Sequence, residues 1–273
     1  MCAFAGNSIL TRLGVARHGI DPLTFGAIRV AAGAAALLVL RRGRAVPLRG
    51  MRRWVGAGTL AVYMIGFSWA YLNLAAGLGA LILFATVQGV MFATALWRGQ
   101  AVPPLRWAGM ALALGGLVVL LWPAGQVRVD PAGALAMICA GVGWGAYTLL
   151  GQGERDATAA TTANFLLCLP LMALSVVLHG DPRSLSWAGV AVAVLAGAVT
   201  SGLGYALWYR VLPSLTVTAA AVAQLSVPVI AVAGGIVLLS EPLTPRILLA
   251  AVMVLGGIGL SSLRQRRIGS NGS

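Results

Sequence analysis

Residues 54–97 run for 44 positions without one charged side chain. A helix needs about 20 apolar residues to cross the hydrocarbon of a bilayer. The run is too long for one span and fits two, with the fold-back expected at 73–79, where small residues and glycines cluster. Uncharged runs at 107–127, 131–153, 157–180 and 184–209 each hold one span, 211–240 holds another, and 247–263 holds a shorter last one. The stretch 23–40 is a span containing one arginine, Arg29, and residues 1–16 read as a stunted first span. The chain is therefore expected to be an all-α membrane protein with ten transmembrane helices. Turn signals punctuate the gaps: Asp21-Pro22, Pro103-Pro104, Asp130-Pro131, Asp181-Pro182, Pro213-Ser214 and Glu241-Pro242.

Composition agrees. Hydrophobic residues make up 59% of the chain and charged residues 9%, against roughly 25% charged in a soluble domain. So few charges cannot cover a water-facing surface. The net charge is +13, carried by arginine with no lysine at all. A basic chain can point to nucleic acid, but these arginines sit between apolar runs, where they set topology instead. No nucleic-acid partner is expected; the bilayer is. Cys2, Cys139 and Cys168 lie in apolar stretches without CxxC spacing and read as small helix fillers. No metal, cofactor or ATPase motif is present in the sequence.

Orientation follows from the arginines. With the N-terminus inside, the inner segments hold Arg41, Arg42, Arg44, Arg49, Arg52, Arg53, Arg98, Arg106, Arg155, Arg210, Arg264, Arg266 and Arg267. The outer ones hold Arg17, Arg128, Arg183 and Arg246. Thirteen against four places both termini in the cytoplasm, in a cell inner membrane.

The two halves resemble each other. Trp69 pairs with Trp208 and Gly89 with Pro228 at an offset of 139; Leu114-Gly115-Gly116 pairs with Leu255-Gly256-Gly257, Gln100 with Glu241 and Pro104 with Pro245 at 141. The chain divides into five-helix units at 1–126 and 127–268. Residues 269–273 (GSNGS) read as a linker or expression scar. Five is odd, so the second unit is inverted in the membrane, an arrangement that places solute sites near the midplane of transporters.

Three stretches carry a family resemblance: Asp21-Pro22-Leu23-Thr24-Phe25-Gly26-Ala27-Ile28-Arg29, Ala206-Leu207-Trp208-Tyr209-Arg210-Val211-Leu212, and Ser240-Glu241-Pro242-Leu243-Thr244-Pro245. With Leu255-Gly256-Gly257-Ile258-Gly259 they make the chain resemble the ten-helix, EamA-type branch of the drug/metabolite transporter superfamily. The resemblance spans nearly the whole chain and, within the superfamily, leans to exporters of aromatic and other amino acids. It implies a secondary transporter acting on a small-molecule substrate, and the chain is expected to be a monomer. Phe4 stands where the family carries tryptophan, so helix one looks trimmed. Gly89 and Gln100 stand where the family favours proline and glutamate.

Polar and aromatic residues within spans are the candidate site, because polar groups in hydrocarbon usually face the bundle interior. Asn7, Gln88, Gln224 and Ser226 are either solute contacts or helix–helix hydrogen bonds. Trp69, Trp144 and Tyr147 are either an aromatic wall for amphipathic solutes or plain packing. Trp54, Trp97, Trp107, Trp122 and Trp187 fall at span ends, as membrane anchors do. Gly89 and Pro228 are candidate hinges or gates, since a proline inside a helix frees a carbonyl and kinks the rod. Arg29 either snorkels to the outer interface, pairs with helix-end carbonyls, or contacts an anionic solute. A cavity between the repeats lined by Trp69, Gln88, Tyr147 and Gln224 is the arrangement these residues predict.

Aspartate and glutamate are absent from mid-span positions. Proton-coupled pumps usually bury a carboxylate or histidine, so facilitated transport or exchange is expected. A sugar-phosphate or nucleotide-sugar exchanger would need buried cationic clamps, and Arg29 is the one candidate. A membrane-embedded enzyme would need carboxylate pairs, histidine clusters or a metal site in the spans, and the sequence offers none of these there.

Overall fold

The computed structural model describes residues 1–99, 102–122, 129–152, 154–181, 184–211 and 217–262. The 269–273 tail, Gln100 and the Pro213-Ser214 turn lie outside these. Among the described residues the chain forms ten helices, counting interrupted ones once, and no strand. They are α1 (Cys2–Arg12, continuing as a π-helical turn, Leu13–Arg17), α2 (Pro22–Arg41), α3 (Met51–Ala70), α4 (Ala76–Trp97) and α5 (Pro104–Leu121), then α6 (Pro131–Gly151) and α7 (Ala157–His179). Helix α8 is built of Trp187–Leu195, a π-helical stretch Ala196–Leu203, and Gly204–Val211; α9 (Val217–Leu239) and α10 (Pro245–Ser262) follow. Six of the helices are long and apolar enough by themselves to cross a membrane. The protein is an all-α, multi-pass membrane protein.

The turn signals work as helix starts. Asp21, Asp130 and Asp156 accept hydrogen bonds from the backbone N–H three residues on, at 2.7–2.8 Å. Pro22, Pro104 and Pro131 occupy the first helical position, where the missing N–H costs nothing. Between α3 and α4 the fold-back is tighter than the sequence implied. It occupies 71–75, and Gly77 and Gly79 already stand inside α4.

Helix C-termini are closed by arginines from neighbouring helices. Arg12 donates to the carbonyls of Tyr71 and Leu72 after α3, and Arg17 to Leu238 and Leu239 of α9. Arg52 donates to Leu150 and Gln152 at the end of α6, and Arg246 to Val119 and Trp122 at the end of α5. The last turn of a helix leaves carbonyls without partners and carries negative dipole charge. A planar guanidinium can take two of them at once, which a lysine ammonium does less well. At the terminus-bearing end, Arg53 grips Glu154 through two 2.9 Å bonds and Arg41 bonds Asp156 at 2.9 Å.

Helices of the first half pack on helices of the second: α3 on α6, α2 on α7 and α8, α4 on α6 and α9, α1 on α8 and α9, and α5 on α10. The last contact is reciprocal. A Cβ on Gly109 would stand 2.5 Å from the carbonyl oxygen of Gly257, and one on Gly257 would strike the oxygen of Gly109. Gly116 lies in the same way against Ala250.

Two outcomes follow. Gly257→Leu forces the α5 and α10 backbones apart and should destabilise the protein by about 1–3 kcal/mol, seen as a lower Tm in detergent. The Arg53 guanidinium holds the Glu154 carboxyl below its ordinary value. The clip therefore stabilises the fold fully above the unfolded glutamate pKa, about 4.3, and fades as pH falls through the lower native value. Glu154→Gln should lower Tm at pH 7 and flatten its dependence on pH over the acid range, measured by thermal scans.

Candidate functional site

Arg29 is the largest fully buried side chain among the described residues, with 0% of its surface exposed. It does not reach the interface and pairs with no helix end. Its Nε donates to Ser201 Oγ at 2.9 Å and its Nη2 to Tyr63 Oη at 3.1 Å. Its Cζ lies 5.0 Å from the Phe67 ring centre and 5.5 Å from that of Tyr63, within cation–π range. Ser201 sits in the π-helical stretch of α8, and both it and Thr200 face Asn7 of α1. Thr200 and Ser201 both donate to Asn7 Oδ1, and Asn7 Nδ2 returns a bond to the Thr200 carbonyl at 3.4 Å. One buried polar network thus joins α1, α2, α3 and α8. Helical π-segments often coincide with such functional positions.

Beside this network lies a small cavity of about 30 Å³. Asn7, Tyr63 and Phe67 form part of its wall, with Phe84, Trp144 and Tyr205 opposite and beside them. The Trp144 ring lies 5.0 Å from Tyr63, 5.0 Å from Tyr205 and 6.2 Å from Phe4, a continuous aromatic surface. Phe67, Ser8 and Leu83 at the deep end are buried, whereas Phe4, Met91, Thr148, Trp208 and Gln224 are partly exposed. These five lie toward the end that carries the N-terminus and the C-terminal ends of α4, α6 and α8. The mouth is therefore at that end. At the opposite end Glu241 accepts from the Ala76 N–H with both oxygens and pairs with Arg12 at 3.5 Å, tying the start of α4 to α1.

Of the sequence-predicted residues, the cavity collects Asn7, Trp144 and Gln224. Tyr147 stacks on Trp144 at 5.6 Å but lines a second cavity, with Arg53, Glu154 and Asn164. Trp69 does not belong. It is 61% exposed on the outer surface, because α3 ends at Ala70 and the residue falls in the interfacial zone where tryptophans anchor. Trp54, Trp97, Trp107, Trp122 and Trp187 are exposed in the same manner. Gln88 lies on α4 one residue round from the lining Val87, partly exposed and off the cavity. Ser226 is two residues from Gln224, hence on another face of α9. The region around Gly89 is open, with nothing within 4 Å of where a Cβ would stand, and α4 runs unbroken through it. Pro228 is buried one turn from Gln224 inside a continuous α9. The sequence reading also missed lining residues. Phe84, Val87 and Met91 carry no signal beyond apolarity, and Ser8 none beyond its neighbour Asn7.

Residues 131–263 match the EamA-like transporter family. An uncharacterized protein of Pseudomonas aeruginosa is 48% identical over 95% of this chain and 91% of its own length. The chain belongs to the EamA-like transporter family. It is also 28% identical to a "probable terminal-alkyne amino-acid exporter" of Streptantibioticus cattleyicolor, over 93% of this chain and 87% of that protein. A "probable amino-acid metabolite efflux pump" of Escherichia coli is 24% identical over 98% and 94%. A solved crystal structure superposes with a TM-score of 0.67 over 97% of both chains at 20% identity, which establishes the shared fold. The EamA-type chain is thus a membrane transporter with an aromatic central cavity.

The mouth is testable by thiol accessibility. With Cys2, Cys139 and Cys168 replaced, Met91→Cys should react with a water-soluble maleimide at least tenfold faster than Phe67→Cys. Equal rates, read by mass shift, would mean that the cavity is not open where Met91 lies.

Proposed function

We propose that this transporter exports amino acids or similar small metabolites across a cell inner membrane by alternating access. The carrying observation is the cavity itself: it is walled by α1, α3 and α4 of the first half and α6, α8 and α9 of the second, open at one end and shut at the other. Rocking the halves about that cavity would expose it to each side in turn. With both termini cytoplasmic, the open end faces the cytoplasm, the side from which an exporter loads. The Arg12–Glu241–Ala76 contact is then an outer gate, and Pro228 beside Gln224 is a hinge point of α9. The two relatives named as exporters of amino acids or their metabolites support the same solute class.

The aromatic wall suits an apolar or aromatic side chain, and ring faces can receive an ammonium group. Among the described residues the fully buried side chains include no carboxylate, so the cycle is proposed to be facilitative or exchange-driven.

Purified protein in proteoliposomes, assayed against an amino-acid panel, tests the proposal. Counterflow should proceed without an imposed pH gradient; an absolute requirement for one would overturn the facilitative mechanism. Trp144→Ala should raise KM about two- to tenfold, in line with the roughly 0.5–1.5 kcal/mol of a lost ring contact. Trp69→Ala, facing outward, should leave it unchanged. No flux of any amino acid or related metabolite would overturn the solute class.

A further inference from the structure

A guanidinium carries five N–H donors and a charge that cannot be removed. Arg29 satisfies its Nε and one Nη2 donor with neutral hydroxyls; its Nη1 makes no hydrogen bond, and the Tyr205 hydroxyl beside the guanidinium makes none either. Burying such a charge in the middle of a membrane protein is costly unless it is paired. The ion pairs of the described residues lie at the two ends of the bundle, at Arg12–Glu241, Arg41–Asp156, Arg52–Glu154 and Arg53–Glu154. None reaches Arg29. Both of these partners are uncharged, so the bonds that join the helices leave the cation without a countercharge. The side chain stands directly behind the cavity wall: Tyr63 and Phe67, whose rings flank its guanidinium, both line the cavity, and Ser201 is shared with the lining residue Asn7.

We propose that Arg29 is the carboxylate-binding group of the solute site, the unbonded Nη1 edge receiving the acid of an amino acid whose side chain lies on the aromatic wall. The countercharge missing from the protein arrives with the cargo. Charge-assisted, two-pronged bonding is what arginine offers a carboxylate. A turn of Phe67 or Tyr63 away from the guanidinium opens the edge, exchanging a ring contact for the ion pair. The inference rests on the exporter reading above and narrows its cargo to solutes with a free carboxylate.

The experiment compares acid and primary amide of the same compounds, phenylalanine and phenylalaninamide among them, in counterflow and in thermal stabilisation of the detergent-purified protein. Wild type should carry and be stabilised by the acid at least tenfold better than the amide. Arg29→Gln should raise KM for the acid at least tenfold and erase the discrimination, while Arg29→Lys keeps discrimination with weaker affinity. If Arg29→Gln does not fold, the wild-type and Arg29→Lys comparisons decide. Equal handling of acid and amide by wild type overturns the inference and leaves the transport reading intact. Stabilisation by acids that Arg29→Gln loses, without flux of any solute, supports the binding group and overturns the transport reading. Neither stabilisation by nor flux of any carboxylate overturns the inference.

Discussion

Where α5 meets α10, the backbone of Gly109 lies against the backbone of Gly257 with no side chain between them. Lipid tails are as apolar as leucine, so helices in a membrane are held by close van der Waals contact and not by the expulsion of water. Close contact needs small residues, and the same rule operates between α2 and α8, where a Cβ on Gly197 would collide with the carbonyl of Arg29. That second contact matters for the site. It brings α8 so near to α2 that Ser201 can take the Arg29 Nε at 2.9 Å. The polar network at the centre of the bundle exists because glycines on the outside of it let the helices approach.

Charge is used in three ways along the membrane normal. At both ends, arginines from one helix cap the carbonyl ends of another, and Arg53–Glu154 and Arg41–Asp156 pin α3 and α2 to the start of α7. Arg53 and Glu154 are largely covered, 16% and 12% exposed, and these contacts fix the helix ends. At the closed end, Arg12 and Glu241 join α1 to the start of α4. At the centre, Arg29 is surrounded by hydroxyls and rings. The first use sets the fold, the second sits where a gate would close, and the third is where a charged solute would be recognised.

Much of the fold was legible because its causes are local. A dearth of charge over twenty residues makes a span wherever it occurs, and Asp-Pro at its start is an N-cap followed by a pre-shaped first residue. The site was legible only in part. Asn7, Trp144 and Gln224 converge on the cavity, but Trp69 faces outward and Gln88, Gly89 and Ser226 miss it. Residues 69 and 208 match across the repeat, yet one is a surface anchor and the other stands at the mouth. The repeat conveys position along the chain, whereas exposure depends on where each span ends and which face its neighbours cover.

By itself the sequence determined that this chain lies in a bilayer, how many times it crosses, and which gaps hold its charges. Those properties depend on the chemistry of consecutive residues in one solvent. Tertiary structure alone decided that Arg29 is buried rather than snorkelling, that Thr200 and Ser201 reach Asn7, and that Tyr63, Trp144 and Tyr205 form one wall. A membrane helix is apolar all round, so its periodicity does not mark an inward face. Only the packing of glycine against backbone chooses that face, and with it the residues that meet the solute.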